Sequence, residues 1–157
     1  MKNILVVIVF LLAASACSVG TKTDLKSGLS VSYNGFMIGE TSLVNDENQK
    51  TSSNEVKMDK TFAILVEDIQ NYELKDGRAF PGLDILVTDK AGTTVLNASD
   101  ILANEDGYTP EDAAVLRGTI TAGRPMQVGE TYHAKMKIYD KLKPESEIVA
   151  QVDFVVK

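Results

Sequence analysis

The sequence is short of the residues that build metal centres, disulfides and Cys- or His-based active sites. Its 157 residues include one Cys, one His and no Trp. One Cys excludes a disulfide framework within the chain, and one Cys with one His supplies too few ligands for the usual Cys/His zinc sites. A Ser-His-Asp or Cys-His arrangement would depend on His133 alone. The sequence therefore names no catalytic residue, no cofactor and no metal ligand set, and we expect a protein that is not an enzyme.

Positive charge is also scarce. Lys and Arg number 16 against 22 Asp and Glu, which gives a formal net charge of −6. An acidic chain lacks the basic surface that binds phosphate backbones, so no nucleic-acid partner is expected. With 44% hydrophobic and 24% charged residues the chain has the balance of an ordinary globular domain.

No apolar run is long enough for a transmembrane helix. The longest extends from Ile4 to Leu12, about 13 Å of helix, whereas a bilayer core needs roughly twenty residues. Lys2 precedes this run, and the small residues Ala14, Ser15 and Ala16 follow it, directly before Cys17. A basic start, a short apolar run and small residues at a cleavage site are typical of a secretory signal peptide.

The end of this leader, Leu12-Ala-Ala-Ser-Ala-Cys17, resembles the lipobox of bacterial lipoproteins. The commonest lipobox has Leu three positions before the Cys, where this chain has Ala14. The resemblance implies that the signal is cut before Cys17 and that the Cys17 thiol carries a diacylglycerol. The usual acylation of the new N-terminus would add a further chain, such as palmitate, and two or more acyl chains make a lasting membrane anchor.

The resemblance also implies a location in the bacterial cell envelope. In bacteria with two membranes the residue after the Cys helps to choose the membrane, and Ser18, unlike Asp, is of the outer-membrane type. We expect a cleaved signal over residues 1–16, a lipidated Cys and flexible tether over residues 17–28, and one domain over residues 29–157. The tether prediction follows from a polar composition with Gly20 and Gly28 and no apolar periodicity.

The pattern of the remaining chain is that of β-structure. Segments with strand-like alternation or short apolar runs begin near Leu29, Thr61, Leu83, Thr93, Ala114, Tyr132 and Ile148. A turn at Asp89 to Gly92 joins two of them into a predicted hairpin, and the last two segments are predicted to pair antiparallel. The polar residues 45–55 contain no hydrophobic side chain and are predicted to be a mobile loop.

About seven strands, frequent turns and no long amphipathic helix predict an all-β fold, an antiparallel β-sandwich that is immunoglobulin-like in architecture. The Cys pair and the core Trp of antibody domains are absent, so the likeness concerns architecture only. A β-barrel is the alternative.

Two loops are the candidates for a ligand site. The segment from Asn104 to Asp112 places carboxylates around Gly107, as a calcium loop requires, but Leu102 and Ala113 stand where its first and twelfth ligands belong. A solvated acidic turn explains the same residues. The loop from Ala79 to Gly82 is the second candidate, and the aromatic residues outside apolar strand positions, which could contact a sugar or a protein, are Tyr72, Phe80, Tyr108 and Tyr139.

Chemical motifs are lacking elsewhere. His133 lies on the polar face of its predicted strand beside Lys135 and Lys137, without a local carboxylate at a spacing that would identify a relay or a metal triad. The sequence therefore favours a non-catalytic envelope lipoprotein with a binding, accessory or scaffold role, whose partners are the membrane, through Cys17, and an envelope protein or glycan. A glycan- or calcium-binding module is the alternative, and a small carboxylate-based hydrolase has the least support.

Overall fold

Two β-sheets form the protein in the computed structural model, which describes residues 18–157. The strands are β1 Val19–Thr23, β2 Ser30–Asn34, β3 Thr41–Val44, β4 Lys50–Thr51, β5 Glu55–Val56, β6 Thr61–Val66, β7 Pro81–Asp89, β8 Thr94–Ala98, β9 Leu116–Thr121, β10 Thr131–Asp140 and β11 Glu147–Val156. A single helical turn, α1 Pro110–Ala113, precedes β9.

The large sheet has the strand order β1-β2-β11-β10-β7-β8, with β5 added beside the end of β11. The small sheet has the order β4-β3-β6-β9. Neighbouring strands are antiparallel apart from β5, which runs parallel to β11. The predicted all-β, antiparallel architecture is confirmed.

Alternation of apolar and polar side chains decides which face of each strand is buried. In β10 the buried and half-buried positions alternate without interruption, and β11 follows the same pattern except for exposed Asp153. Because side chains alternate across a strand, one face of this pair enters the core and the other meets water. In β6, Phe62, Ala63, Ile64 and Val66 are all buried, as its continuous apolar run predicts.

One hydrophobic core lies between the sheets. The ring of Phe62 in the small sheet lies 4.8 Å from the ring of Phe154 in the large sheet. Gly118 of β9 lies so close to Met136 of β10 that a larger residue would collide with the methionine sulfur. These contacts between facing sheets make the fold a two-layered sandwich.

Each of the seven predicted segments contains a strand, and the 83–96 hairpin and the β10–β11 pair form as expected. The structure differs from the sequence predictions at three places. β3 lies outside the seven predicted segments, and residues 18–157 contain eleven strands where about seven were predicted. Residues 19–23, in the predicted flexible tether, form β1 and pair with β2 over five residues. The predicted mobile loop contains β4 and β5, and Asn45 Oδ1 accepts the N–H groups of Glu47 and Gln49 there. In the tether and the loop, backbone pairing orders a chain whose side chains are polar.

The strand register defines two ends of the sandwich. Val19, Asn34, Glu147, Tyr139 and Gly82 lie level with one another across the large sheet. We call this the N-terminal end, because the described chain begins there. The opposite, distal end contains the start of β10, the last residues of β11, and β5.

Candidate functional site

The first described residue is fastened to the N-terminal end. The Ser18 hydroxyl donates to the Phe36 carbonyl at 2.7 Å, and the Ser18 carbonyl accepts the N–H of Gly35 at 2.9 Å. Gly35 has a φ of 75° and packs on the buried Ser146 side chain, so both its conformation and the space require glycine. The chain therefore joins the sandwich at a fixed point.

Buried polar groups hold the loops at this end. Asp140 is fully buried, and its carboxylate accepts the N–H of Glu73 at 2.7 Å and that of Leu142 at 2.9 Å. The Tyr72 hydroxyl donates to the Ala113 carbonyl at 3.0 Å. Burial, with Asp140 nearby, raises the pKa of Tyr72 above its ordinary value. Hydrogen bonds thus connect residues from three separate segments of the chain.

Above these polar groups lies a shallow apolar groove of about 330 Å³. It is lined by Ile69, Gln70, Asn71, Tyr72, Leu74, Pro110, Glu111 and Ala114. Gln70 pairs with Met37 on one side, and the Ile69 N–H donates to the Ala114 carbonyl on the other. Leu74 lines the groove, and the exposed residues Met37 and Val115 belong to the segments that border it.

The two predicted ligand loops do meet at this end. Ala79 and Tyr108 exchange two backbone hydrogen bonds of 2.9 and 2.8 Å. Gly107, with a φ of 68°, lies against Phe80, where a larger residue would collide with the ring. The loops bring their backbones together, and these polar groups satisfy one another rather than facing a ligand.

Side chains of the acidic segment form hydrogen bonds within the segment itself. The Asn104 carboxamide oxygen accepts the Asp106 N–H at 3.1 Å, and its nitrogen donates to the Gly107 carbonyl at 3.0 Å. Thr109 caps α1 by accepting the N–H of Asp112. Among residues 18–157, no group of three or more Asp, Glu, His or Cys side chains is arranged to hold a metal ion. The geometry is that of a capped turn.

His133 has a carboxylate partner that sequence proximity does not reveal. Its Nδ1 lies 2.8 Å from Asp153 Oδ1, because the β10–β11 register places the two residues opposite each other. Their side chains are 44% and 68% exposed on the outer face of the large sheet. The sequence alone does not predict this pair, because the register that places the two residues opposite each other depends on the length of the turn before β11.

The aromatic candidates occupy separate positions. Tyr72 packs edge-on against Phe36 with ring centroids 4.9 Å apart, and Phe80 packs beside Gly107. Tyr108 is half-buried, with its hydroxyl 3.5 Å from the Leu102 carbonyl. Tyr139 lies across Gly82 on the large sheet, where burial raises the pKa of its hydroxyl. Tyr72 alone of these four lines the apolar groove.

The distal end has a different depression, a polar groove of about 320 Å³. Its lining consists of Asn45, Asp46, Glu47, Thr51, Ser53, Glu55, Val56, Lys57, Lys60, Thr61 and Phe62. Lys60 Nζ lies 2.9 Å from Asp46 Oδ2, and this hydrogen bond lowers the pKa of Asp46. Sequence analysis missed this groove, because the lining residues meet only through the turns around β4 and β5.

The predicted lipid-attachment residue, Cys17, lies outside the described residues, as does the signal peptide. The chain that the structure does describe contains no helix of the length and hydrophobicity needed to span a bilayer.

Comparisons with known proteins give two distant structural likenesses. No family model matches the chain, and no curated protein matches it. The soluble domain of PmoD from Methylocystis sp. is 10% identical with a TM-score of 0.40, and the alignment covers 90% of this chain and 98% of that one. Chicken MD-1, solved in complex with lipid IVa, is 10% identical with a TM-score of 0.39, and the coverage is 88% of this chain and 98% of that one.

Proposed function

We propose that this protein is a bacterial envelope lipoprotein, anchored through lipid on Cys17, with a non-catalytic binding or accessory role. The observation that carries the proposal is the position of Cys17. It is the one Cys of the chain, it ends a lipobox-like leader, and it directly precedes Ser18, the first described residue, which is hydrogen-bonded to the sandwich. A lipid placed there would anchor the domain without disturbing its core.

The exposure and hydrogen bonding of the polar side chains favour binding over catalysis. The His133–Asp153 pair lies open on a sheet face, and the carboxylate of Asp140 is occupied by two backbone N–H groups. A general acid or base works in a site that shields the reacting atoms and leaves the group free to exchange a proton. An immunoglobulin-like classification of the sandwich is part of the proposal, since such domains bind partners through their loops and sheet edges.

Replacement of Cys17 tests the anchor. In the native host, Cys17→Ser should abolish incorporation of labelled palmitate and release the protein from the membrane fraction. Leu25→Ser is the matched control: Leu25 is 93% exposed in the turn after β1, and its replacement should leave labelling intact. Equal labelling of the Cys17→Ser protein would refute the proposal.

Replacement of Ser18 tests the outer-membrane assignment. Ser18→Asp should shift the lipidated protein toward the inner-membrane fraction. Because the Ser18 hydroxyl also donates to Phe36, Ser18→Ala serves as the control that loses this hydrogen bond without adding a carboxylate. A parent protein in the inner-membrane fraction would show that the assignment is wrong. If Ser18→Asp stays in the outer membrane, residue 18 does not determine the location.

The polar groove favours a second candidate function, binding of a glycan. Polar and charged side chains surround the groove, and Phe62, which is 4% exposed, lies at its apolar side. Sugars are bound by several polar side chains that converge on one concave site. An oligosaccharide that binds there should raise the melting temperature of residues 18–157 in a concentration-dependent way. Glu47→Gln should reduce this shift, whereas Glu111→Gln, in the apolar groove, should not.

A further inference from the structure

We infer that the N-terminal end of the sandwich rests on the lipid surface, with Met37, Leu74 and Val115 in contact with a neutral phospholipid interface. The inference rests on the proposed lipidation of Cys17. It adds an orientation and an interaction surface that the anchor alone does not specify.

The attachment point leaves little freedom between lipid and domain. Consecutive Cα atoms are about 3.8 Å apart, so Cys17 is one such step from Ser18. Ser18 is itself bonded to Gly35 and Phe36, and Met37 is the next residue along the chain. The acyl chains would therefore leave the protein beside the Met37 side chain.

The segment that would have served as a spacer is part of the fold. β1 pairs with β2 along its whole length, and Lys22 Nζ donates to the carbonyls of Ile38 and Gly39. A free chain from residue 18 to residue 28 would let the domain tumble away from the membrane. With β1 in the sheet, the same end of the sandwich is turned toward the anchor.

Exposed apolar side chains are concentrated at this end. Met37 is 49%, Leu74 47% and Val115 51% exposed, and the segments that carry them are joined by the Met37–Gln70 and Ile69–Ala114 backbone pairs. Val19, at the start of β1, and Leu142, after β10, are exposed at the same end. Clustered apolar side chains next to a lipid anchor favour insertion at the headgroup boundary, which is roughly 5–10 Å deep.

The charges at this end select the kind of membrane. Glu73, Asp76, Glu111 and Asp112 are exposed on or beside the segments that carry the apolar side chains, against two exposed cations, Lys75 and the Lys22 that bonds to Ile38 and Gly39. A surplus of carboxylates is repelled by anionic lipids within about a Debye length. A zwitterionic leaflet is therefore the surface that this end fits.

The absence of Trp makes the orientation measurable, because a single introduced Trp supplies the whole indole signal. Met37→Trp and Val115→Trp report on the N-terminal end. Leu25→Trp and Val128→Trp, at positions 93% and 62% exposed and away from that end, are the controls. Each full-length, lipid-modified variant is placed in phosphatidylcholine vesicles with plain or brominated acyl chains. Bromine should quench the indoles of the two N-terminal-end variants about twofold more than the control indoles, because only apolar residues at the interface approach the chains.

Acylation is measured on the same samples from the mass of the N-terminal peptide. This measurement distinguishes failure of the proposed orientation from failure of the proposed lipidation. An acylated protein whose four indoles are quenched equally, or not at all, overturns the orientation and leaves the lipoprotein proposal intact. A protein without acyl groups overturns both.

If one variant fails to fold by circular dichroism, the other variant at the same end supplies the comparison. Acylated protein that leaves these indoles unquenched in vesicles but cross-links through this end in cells would assign the surface to a protein partner instead.

Discussion

The two ends of the sandwich are built in opposite ways. The N-terminal end has polar groups inside and apolar groups outside: Asp140 is buried there, while Met37 and Val115 face solvent. The distal end has an aromatic interior, in which Phe154 contacts both Phe62 and Tyr132, and a rim of charged side chains.

In the orientation proposed above, the N-terminal end would face lipid and the distal end would face water. Burial of the Asp140 carboxylate is costly unless hydrogen bonds satisfy it, and the N–H groups of Glu73 and Leu142 do so. At the N-terminal end the buried polar groups fix three loops, and those loops present the apolar surface. The distal end also exposes Leu25 and Val128, but its rim is charged and borders the polar groove.

The largest expected effect is at the distal core. Phe154→Ala should lower the free energy of unfolding by about 3–5 kcal/mol, since it removes a fully buried ring and leaves a cavity between Phe62 and Tyr132. Urea unfolding of residues 18–157 measures this, and Phe154→Leu, which keeps much of the volume, should lose less. If the Ala variant is nearly as stable as the parent, the distal end does not depend on aromatic packing.

Asp140 gives the corresponding test at the N-terminal end. Asp140→Ala leaves the partly buried N–H groups of Glu73 and Leu142 without their acceptor and should cost about 2 kcal/mol. Asp140→Asn keeps one acceptor oxygen and should recover part of this loss. Hydrogen exchange should show that the Glu73 amide is the first to lose protection in Asp140→Ala. Uniform loss of protection across both ends would mean that the carboxylate does not act locally.

Tyr72→Phe is a smaller change at the same end. Loss of the hydrogen bond to the Ala113 carbonyl should cost about 1 kcal/mol at neutral pH. The raised pKa of Tyr72 means that the folded chain holds the phenolic proton more tightly than the unfolded chain. The free energy of unfolding should therefore be insensitive to this group below about pH 10 and should fall as the pH rises above it.

Lys residues with a raised pKa, such as Lys137, also lose their stabilising contribution in this alkaline range. The informative quantity is therefore the difference in the free energy of unfolding between parent and variant. The decline between about pH 10 and pH 11 should be shallower in Tyr72→Phe. Equal slopes would show that Tyr72 ionises as readily in the folded chain as in the unfolded one.

The sequence predicted the interior of this fold better than its ends. Alternation in β10 and β11 places their core residues correctly, because period-two burial is a local property of a strand. The same alternation contains a clue to the N-terminal end: Asp140 continues the buried positions of Tyr132, Ala134, Met136 and Ile138. A carboxylate at a core position marks a buried polar contact, although its partner Glu73 is far away in sequence.

The rest depended on pairings that no local pattern encodes. β1 has mostly exposed side chains, so its order comes from backbone bonds to β2 and from the contact between Ser18 and Phe36. The apolar groove requires residues near 70 and 114 to become neighbours. Such contacts follow from topology, which composition and periodicity do not determine.

The smallest expected effect concerns the charged rim of the distal end. Asp46→Asn breaks the ion pair with Lys60, whose side chain is 58% exposed. The pKa of Asp46 is lowered by that hydrogen bond, so its contribution to stability is present at neutral pH and is lost as the pH falls through the acid range. Exposed ion pairs contribute little because water and salt screen them. The urea midpoint at pH 7 should therefore be the same as that of the parent within error, and Lys60→Gln should behave alike. A loss comparable to that of Tyr72→Phe would mean that charged side chains hold the distal end together as buried polar groups hold the other, and the contrast between the two ends would fail.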